Sequence, residues 1–295
     1  MANPMHPERQ EGYEWPVGVY LFFGGLGGAL ITLSYIFHFF AATVPMIRLA
    51  TLSGLVLFAI AGVFLIFFDL ERPLNAIYSL NNVTKSGISW DVVLIILNFV
   101  FGILFVIPEF SNYSIFSGLA SLLAPYQVFF GLIAAISGFL FPIISAGLLA
   151  APAAIPLWHT PALPLLYLIT SFSLAIAYLG ALFSPVGTLY TTFLGGIFAL
   201  TALTFAISLA YLEHTHNGPI EAKEGMHRML KTPRFILLYP VVGVLFPLVL
   251  SAYLFFTGAT LTWAMLALTI ALFLGGFAAR NCVVNNGIET YPWPY

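Results

Sequence analysis

The sequence predicts an all-α integral membrane protein with eight transmembrane helices, and three observations predict this fold class. Hydrophobic residues make up 61% of the 295 residues, against roughly 45–50% in a soluble globular protein. Charged residues make up 7% of the chain, where roughly 25% is usual. Eight apolar runs are each long enough to cross a hydrocarbon core of about 30 Å as a helix. So few charges cannot cover a soluble particle of this size, and we therefore expect most of the outer surface to face lipid.

The eight runs divide the chain into a polar N-terminal arm (1–15), a membrane domain (16–280) and a C-terminal tail (281–295). The first run does not resemble a cleaved signal peptide, because the arm before it is acidic and the run is long enough to span. An even number of spans places both termini on one side, called side A here, and the opposite side is side B. We expect the helices to form two four-helix bundles. The predicted spans are 16–40, 51–68, 91–107, 126–150, 161–183, 190–211, 235–256 and 261–279.

Charged residues and prolines mark where the spans end. Charged groups are costly inside a bilayer, and proline favours the end or a kink of a helix. None of the charged side chains lies near the centre of a predicted span. In chain order, the markers are Asp69 after the second span, Asp91 at the start of the third, Pro152 and Pro156 after the fourth, Glu213 after the sixth, and Arg280 after the eighth.

Glycines in the spans predict close helix packing. Gly24 and Gly28 have the GxxxG spacing that lets a neighbouring helix approach closely. The cluster around them follows no strand, so it does not indicate a phosphate-binding loop. The pairs at 195–196 and 275–276 are interpreted in the same way.

The cations divide unevenly between the two sides. Of the nine Lys and Arg residues, only Arg48 falls on side B. The positive-inside rule then places side A, with both termini, in the cytoplasm. A docking face for a partner protein on side A would create the same bias, so that alternative stays open.

Composition excludes several functions. A net charge of −2 argues against nucleic-acid binding, and the single cysteine, Cys282, rules out a disulfide framework or an iron–sulfur cluster ligated by this chain. The six histidines lie in tails, in loops or at span ends, whereas a membrane cytochrome b needs paired axial histidines within its helices. The lack of charge at mid-membrane argues against proton pumping by this chain alone. We therefore expect no haem, no cluster and no metal site.

One redox role remains, which is to hold a lipid-soluble quinone while another subunit supplies or takes the electrons. A quinone site needs an apolar slot, hydrogen-bonding groups for the carbonyl oxygens and an ionisable group that exchanges protons. An interfacial aromatic belt would also explain the Trp and Tyr residues, and a salt bridge at a helix end would explain 69–72. Side A concentrates the required groups, namely Trp15, Tyr20, Asp69, Glu71, Arg72, Trp90, Asp91, Trp158 and His159.

Four stretches in order resemble the NrfD/PsrC family of membrane subunits, found in polysulfide reductase and related molybdenum-enzyme complexes. The stretches are WPVGVYLFFGGLGG at 15–28, DLERP at 69–73 with SWD at 89–91, PLWHTP at 156–161, and GGFAAR at 275–280. The resemblance covers nearly the whole chain. It implies a cofactor-free helical anchor that exchanges electrons between a quinone, such as menaquinone, and a docked ferredoxin-like iron–sulfur subunit, which serves a molybdopterin catalytic subunit.

The resemblance also suggests site residues, although the family's polar residues are not all reproduced. The position of the family's first-span histidine is similar to Tyr20, the neighbouring asparagine position to Val17, and the fourth-span tyrosine position falls near Ser145. Tyr20 and Ser145 can still donate hydrogen bonds. We assign quinone binding to Tyr20, Trp15, Ser145 and His159, and proton exchange to Asp69, Glu71, Arg72 and Asp91.

Two other functions remain open on the sequence alone. The chain could be a structural anchor whose complex binds quinone on a different subunit, which the missing histidine and asparagine favour. It could also be a small-molecule transporter, although no broken helix pair or polar mid-membrane site supports this. In each case we expect a multi-pass protein of a prokaryotic plasma membrane.

Overall fold

The computed structural model describes residues 15–40, 44–65, 87–183, 188–261 and 263–289. Within these residues the chain is overwhelmingly helical, and eight of the helical segments are long and apolar enough to cross a membrane. The prediction of an all-α membrane protein with eight spans is therefore confirmed. The sides of the membrane on which the termini lie stay a prediction.

The described residues contain eleven α-helices. Shorter helical turns continue several of them, with 3₁₀ turns at Ile107–Phe110 and Ala124–Tyr126 and a π-helical segment at Leu237–Leu245. The α-helices are α1 (Trp15–His38), α2 (Val44–Phe64), α3 (Gly87–Val106), α4 (Ser114–Leu123), α5 (Gln127–Ala150), α6 (Ala162–Phe183), α7 (Thr188–Asn217), α8 (Ile220–Lys231), α9 (Pro233–Ile236), α10 (Phe246–Thr257) and α11 (Ala264–Asn285).

Helix α1 lies at the centre of the molecule. It packs against α2 and α5 and also against α6 and α11, and in its most apolar stretch 94% of the residues are buried. A helix that is apolar on all sides is expected to be surrounded by others. Because α1 contacts helices from both halves of the chain, the division into two four-helix bundles also stays a prediction.

Glycines make the close helix contacts that the sequence predicts. A Cβ atom added to Gly28 of α1 would collide with the carbonyl oxygen of Gly138 of α5, and one added to Gly24 would collide with the ring of Phe141. On the other side of the molecule, Gly275 of α11 meets the backbone of Gly243 in the π-helical segment. The predicted role of these glycines in helix packing is confirmed.

Three span boundaries differ from the predicted ones in a way that matters for charged residues. Helix α2 begins at Val44, seven residues earlier than predicted, because Pro45 suits the first turn of a helix. Helix α7 continues to Asn217 and α11 to Asn285, so the predictions that Glu213 and Arg280 end their spans are wrong. Asn281 and Asn285 each donate to the carbonyl oxygen four residues earlier, and the helix therefore continues through this polar stretch.

A cluster of polar groups joins four helical segments at side B. The Arg48 side chain donates through Nε to the carbonyl oxygen of Glu109 over 2.7 Å, and Gln127 Nε2 donates to Glu109 Oε1 over 2.7 Å. His38 Nδ1 lies 3.6 Å from the same carboxylate oxygen. The C-terminal end of α1, the start of α2, the turn after α3 and the start of α5 therefore meet at one end of the molecule.

Candidate functional site

Three polar side chains from three helices form one buried hydrogen-bonded group. Tyr20 Oη donates to Asp91 Oδ2 over 2.5 Å, and Ser145 Oγ donates to Asp91 Oδ1 over 2.8 Å. The two hydroxyl oxygens lie 3.4 Å apart. Tyr20, Asp91 and Ser145 are only 5%, 2% and 3% exposed, and they are called the polar trio below.

The trio forms where three helices reach side A. Tyr20 is five residues from the start of α1, Asp91 four residues from the start of α3, and Ser145 five residues from the end of α5. A rise of 1.5 Å per residue places each of them about 6–8 Å inside its helix end. The three helix ends must therefore lie together, with α5 running opposite to α1 and α3.

The surroundings of the trio are apolar. The ring of Tyr20 meets the ring of Phe141 edge to face with 5.8 Å between centroids, and Phe141 meets Phe58 in the same way at 4.9 Å. The buried side chains of Val17 and Leu94 belong to the same core cluster. Hydrogen bonds within such an environment are stronger than in water.

The hydrogen bonds of the trio use both hydroxyl protons. Tyr20 and Ser145 each have one O–H, and each donates it to a different oxygen of the Asp91 carboxylate. Asp91 is the only fully buried carboxyl group in the described part of the chain. The arrangement can hold a carboxylate in place, and it can receive a proton because carboxylate oxygens keep further lone pairs.

Within the described ranges, no hydrogen bond joins the other predicted quinone-binding residues to the trio. Trp15 is 50% exposed, and its ring contacts Phe64 of α2 at 5.9 Å. His159 lies in the loop between α5 and α6, where its exposed ring forms a hydrogen bond of 2.9 Å between Nδ1 and the carbonyl oxygen of Ala150. Asp69, Glu71 and Arg72, predicted to exchange protons, lie outside the described residues.

The structure reveals one buried cation that sequence reasoning placed at a helix end. Arg280 is 1% exposed and donates from Nη2 to the carbonyl oxygen of Tyr167 over 3.0 Å and to Ser171 Oγ over 2.7 Å. Its guanidinium group lies 4.8 Å from the centre of the Tyr167 ring and 5.4 Å from that of Phe22. Within the described ranges no carboxylate pairs with it, so carbonyl oxygens and aromatic faces stabilise its charge. The polar residues at 281 and 285–286 were the available signal that the helix continues.

Metal chemistry has no evident site in the part of the chain that the structure describes. No group of three or more His, Cys, Asp or Glu side chains is arranged there to hold an ion. The trio contains one carboxylate and two hydroxyl groups, which suits hydrogen bonding to an organic ligand better than metal coordination.

The comparisons with known proteins agree with the architecture. No curated protein matches the chain. The family model described as polysulphide reductase NrfD matches residues 5–292, which include all eight spans and all three members of the polar trio. The chain therefore belongs to the NrfD family, the membrane subunits of polysulfide-reductase-like complexes.

Proposed function

We propose that this chain exchanges electrons and protons between a membrane quinone and a docked iron–sulfur subunit, and that the polar trio binds the quinone head group. The observation that carries the proposal is the convergence of two hydroxyl groups and one buried carboxyl group at the side A ends of three helices. NrfD proteins typically belong to multi-subunit oxidoreductase complexes. A ferredoxin-like subunit and a molybdopterin catalytic subunit are the partners that we propose.

The hydroxyl groups of Tyr20 and Ser145 have the chemistry that a quinone carbonyl requires. Each can donate one hydrogen bond, and the 3.4 Å between their oxygens lets both point at one acceptor. In the structure both donate to Asp91, so a bound quinone would take one of these donors from the carboxylate. The aromatic and aliphatic neighbours of the trio, such as Phe141, would contact the apolar parts of the head group.

Asp91 would receive the protons. Oxidation of a quinol releases two electrons and two protons, and the electrons would pass one at a time to the iron–sulfur subunit. Asp91 can hold one proton at a time and must pass it to side A before it accepts the second. Reduction of a quinone is the same sequence in reverse, with Asp91 as the proton donor.

Proton uptake and ligand binding would be linked. A carboxylate accepts hydrogen bonds at both oxygens, whereas a protonated carboxyl group donates one and needs fewer donors. Protonation of Asp91 would therefore free the O–H of Tyr20 or Ser145 for the ligand. Such a link between protonation and ligand binding requires that the three groups contact one another directly, as they do in the trio.

The test compares quinone-linked and dye-linked turnover of the assembled complex. Asp91→Asn keeps the shape of the side chain but cannot carry the proton, so we expect quinone-linked turnover to fall by about 100-fold, within the usual effect of a proton-transfer group. Tyr20→Phe and Ser145→Ala each remove one donor, and about a tenfold loss is expected. Activity with an artificial dye that reacts directly with the catalytic subunits should not change.

Matched variants separate the site from general damage. Ser137→Ala removes a buried hydroxyl of the same helix that bonds only to backbone carbonyls of that helix, and Tyr178→Phe removes a tyrosine hydroxyl that bonds to Ser53. Both should keep full quinone-linked turnover. If the three trio variants also keep it, the chain is a structural anchor in this respect and quinone reacts elsewhere. Asp69→Asn and Arg72→Gln, tested in the same assay, address the residues predicted from sequence alone.

A further inference from the structure

A cavity of about 110 Å³ lies in the second half of the molecule, away from the polar trio. Its walls come from α6, α7, α8, α9, the π-helical segment and α11, and its lining is almost wholly aliphatic and aromatic. No residue of the trio contributes to it. The proposed quinone site therefore does not account for this space.

The π-helical segment forms one wall of the cavity. Tyr239, Pro240 and Val244 of this segment line it. π-helical turns are rare and occur frequently at functional sites. Pro240 lacks a backbone N–H and cannot donate the usual hydrogen bond to the carbonyl oxygen four residues earlier, which favours an irregular turn at this point. The irregular helix therefore shapes this side of the cavity, which is not simply a gap between straight helices.

The cavity opens to the outer surface of a membrane span. Phe205 and Leu209 of α7 and Leu245 at the end of the π-helical segment line it, and these side chains are 38%, 51% and 41% exposed. In a bilayer this surface faces hydrocarbon chains. An apolar cavity that opens towards the hydrocarbon region of the membrane can be entered from the side by the acyl chain of a lipid.

Helix α8 covers the cavity at the side A end. Met229 and Leu230 of α8 line the cavity, and the apolar face of this helix is buried while Lys223 and Lys231 on its other face are exposed. An amphipathic helix of this kind lies along the membrane interface. The position of α8 therefore places the membrane–water interface next to this end of the cavity.

Two cations lie next to the end of the cavity that α8 covers. Lys231 follows Leu230, and Arg234 precedes Phe235, and both Leu230 and Phe235 line the cavity. Lys231 and Arg234 are exposed, and within the described residues neither has an acidic partner at ion-pair distance. By contrast, Arg228 is already paired with Glu224 at 3.1 Å. Two unpaired cations at the interface attract an anionic headgroup.

We propose that this cavity binds one acyl chain of an anionic phospholipid whose phosphate group lies against Lys231 and Arg234. The apolar lining takes the chain, and the two cations supply the preference for a negative headgroup. Ser208 and Tyr239 also line the cavity, but Ser208 Oγ donates to the Thr204 carbonyl oxygen over 2.7 Å and lies 2.6 Å from Tyr239 Oη. Their hydroxyl protons are therefore used within the protein, and the lining offers the acyl chain an apolar surface. A lipid held here would fix α8 against the ends of α7 and α11.

The test is native mass spectrometry of the purified full chain in detergent, equilibrated with phosphatidylglycerol or with phosphatidylcholine of the same acyl chains. We expect one phosphatidylglycerol molecule to remain bound per chain and phosphatidylcholine to bind more weakly. The variant Lys231→Gln/Arg234→Gln should weaken phosphatidylglycerol binding by about tenfold or more, because each interfacial cation contributes roughly 1 kcal/mol. Lys223→Gln is the matched control, since it lies eight residues, or about 12 Å, before Lys231 on the same exposed face.

A second variant tests the cavity itself. Ala279 is 3% exposed and lines the cavity, so Ala279→Leu should displace the acyl chain and reduce binding of both lipids while the protein still elutes as a single species. Equal retention of the two lipids, or phosphatidylglycerol binding that neither variant changes, would overturn the proposal. So would a bound quinone in the cavity instead of a phospholipid. If the Lys231→Gln/Arg234→Gln chain keeps the lipid in this measurement, and the assembled complex with the same variant loses the iron–sulfur subunit, the cations serve protein docking and the proposal is wrong.

Discussion

Tyr20 and Ser145 donate to the two oxygens of one carboxylate, so their contributions to stability should depend on each other. When one donor is removed, Asp91 depends on the other alone, and the second removal then leaves a buried carboxylate without a donor. We expect the double variant Tyr20→Phe/Ser145→Ala to lose more unfolding free energy than the two single variants together. The coupling should be about 0.5–3 kcal/mol, the usual range for contacting residues. Thermal or chemical unfolding of the four proteins in one detergent measures it.

Additive losses would mean that the two hydroxyls act independently of each other, and the trio would not be a functional unit. A parallel cycle with Ser137→Ala in place of Ser145→Ala gives the reference value. Ser137 bonds only to carbonyls of its own helix, so its coupling to Tyr20 should be near zero.

Arg280 should tolerate no replacement, even by lysine. Its guanidinium group donates in two directions, to Gly276 from Nη1 and to Tyr167 and Ser171 from Nη2, and it lies against two aromatic rings. A lysine ammonium is a compact point charge that cannot reproduce this planar geometry. We expect Arg280→Lys to lower the free energy of unfolding by about 2–3 kcal/mol, from lost bonds to a buried charged group.

A fluorescence-monitored melting curve of the purified chain detects this loss. Arg228→Lys serves for comparison, because Arg228 is only partly buried and pairs with Glu224 four residues earlier, an interaction of about 0.3–0.5 kcal/mol. Equal shifts in Tm for the two variants would show that the burial of Arg280 is unimportant for stability.

The individual residues of the trio could be predicted, but their hydrogen bonds could not. Tyr20, Asp91 and Ser145 were indicated by their chemistry at side A and by the family resemblance. Whether they meet depends on how three helices rotate about their axes, and residues far apart in sequence carry no local signal of that. Arg280 was misplaced because a cation after an apolar run normally ends a span, whereas here carbonyl oxygens and aromatic rings stabilise it within the helix.

At the scale of whole helices, the contact between α1 and α5 depends on two glycines that face each other. A Cβ atom on Gly28 would collide with the Gly138 carbonyl oxygen, and one on Gly138 would lie 2.6 Å from the Gly28 carbonyl oxygen. Backbone atoms cannot move aside as the end of a side chain can, so the helices must separate. We expect Gly28→Ala or Gly138→Ala to cost about 1–3 kcal/mol, as other overpacked cores do, and to separate the trio as well.

Gly147→Ala is the matched comparison, because Gly147 lies in the same helix as Gly138 and has no neighbouring atom within 4 Å of an added Cβ. Alanine favours a helix over glycine by up to about 1 kcal/mol, so this variant should be neutral or stabilising. The melting temperatures of the three variants decide the matter. A similar loss for Gly147→Ala would mean that helix contact is not the reason for the other two losses.

The helices themselves were largely predictable, since apolar length alone indicates a span. Their ends were less so. Helix α4 (Ser114–Leu123) lies before the predicted start of the fourth span, and the π-helical segment around Pro240 interrupts the seventh span. Hydropathy reports apolar character and not backbone hydrogen bonding, so it indicates neither feature.

Across the whole molecule, α1 separates two buried charged groups. Tyr20 bonds to Asp91 on one side of the helix, while Phe22 lies beside Arg280 on another. Residues two positions apart in sequence, such as Tyr20 and Phe22, point about 200° away from each other around a helix. The acidic and the basic group therefore lie on roughly opposite faces of α1. Each charge is therefore stabilised by its own partners, and a change at Arg280 should affect stability before it affects the trio.

The orientation of the whole molecule in the membrane is predicted from the distribution of its cations. Eight of the nine Lys and Arg residues are assigned to side A by the sequence, and only Arg48 to side B. Short loops rich in Lys and Arg stay in the cytoplasm, so we expect side A to be cytoplasmic.

The start of α1 and the end of α11 lie on the same side of the molecule, because a Cβ on Gly18 of α1 would lie 2.9 Å from Asn281 Oδ1 of α11. One reporter near the C-terminus therefore tests both ends. In a bacterial host, a green fluorescent protein fused there should fluoresce and alkaline phosphatase should be inactive, while alkaline phosphatase fused after Ser111 on side B should be active. The reverse pattern would show that the cations of side A serve partner docking on the outer face rather than orientation.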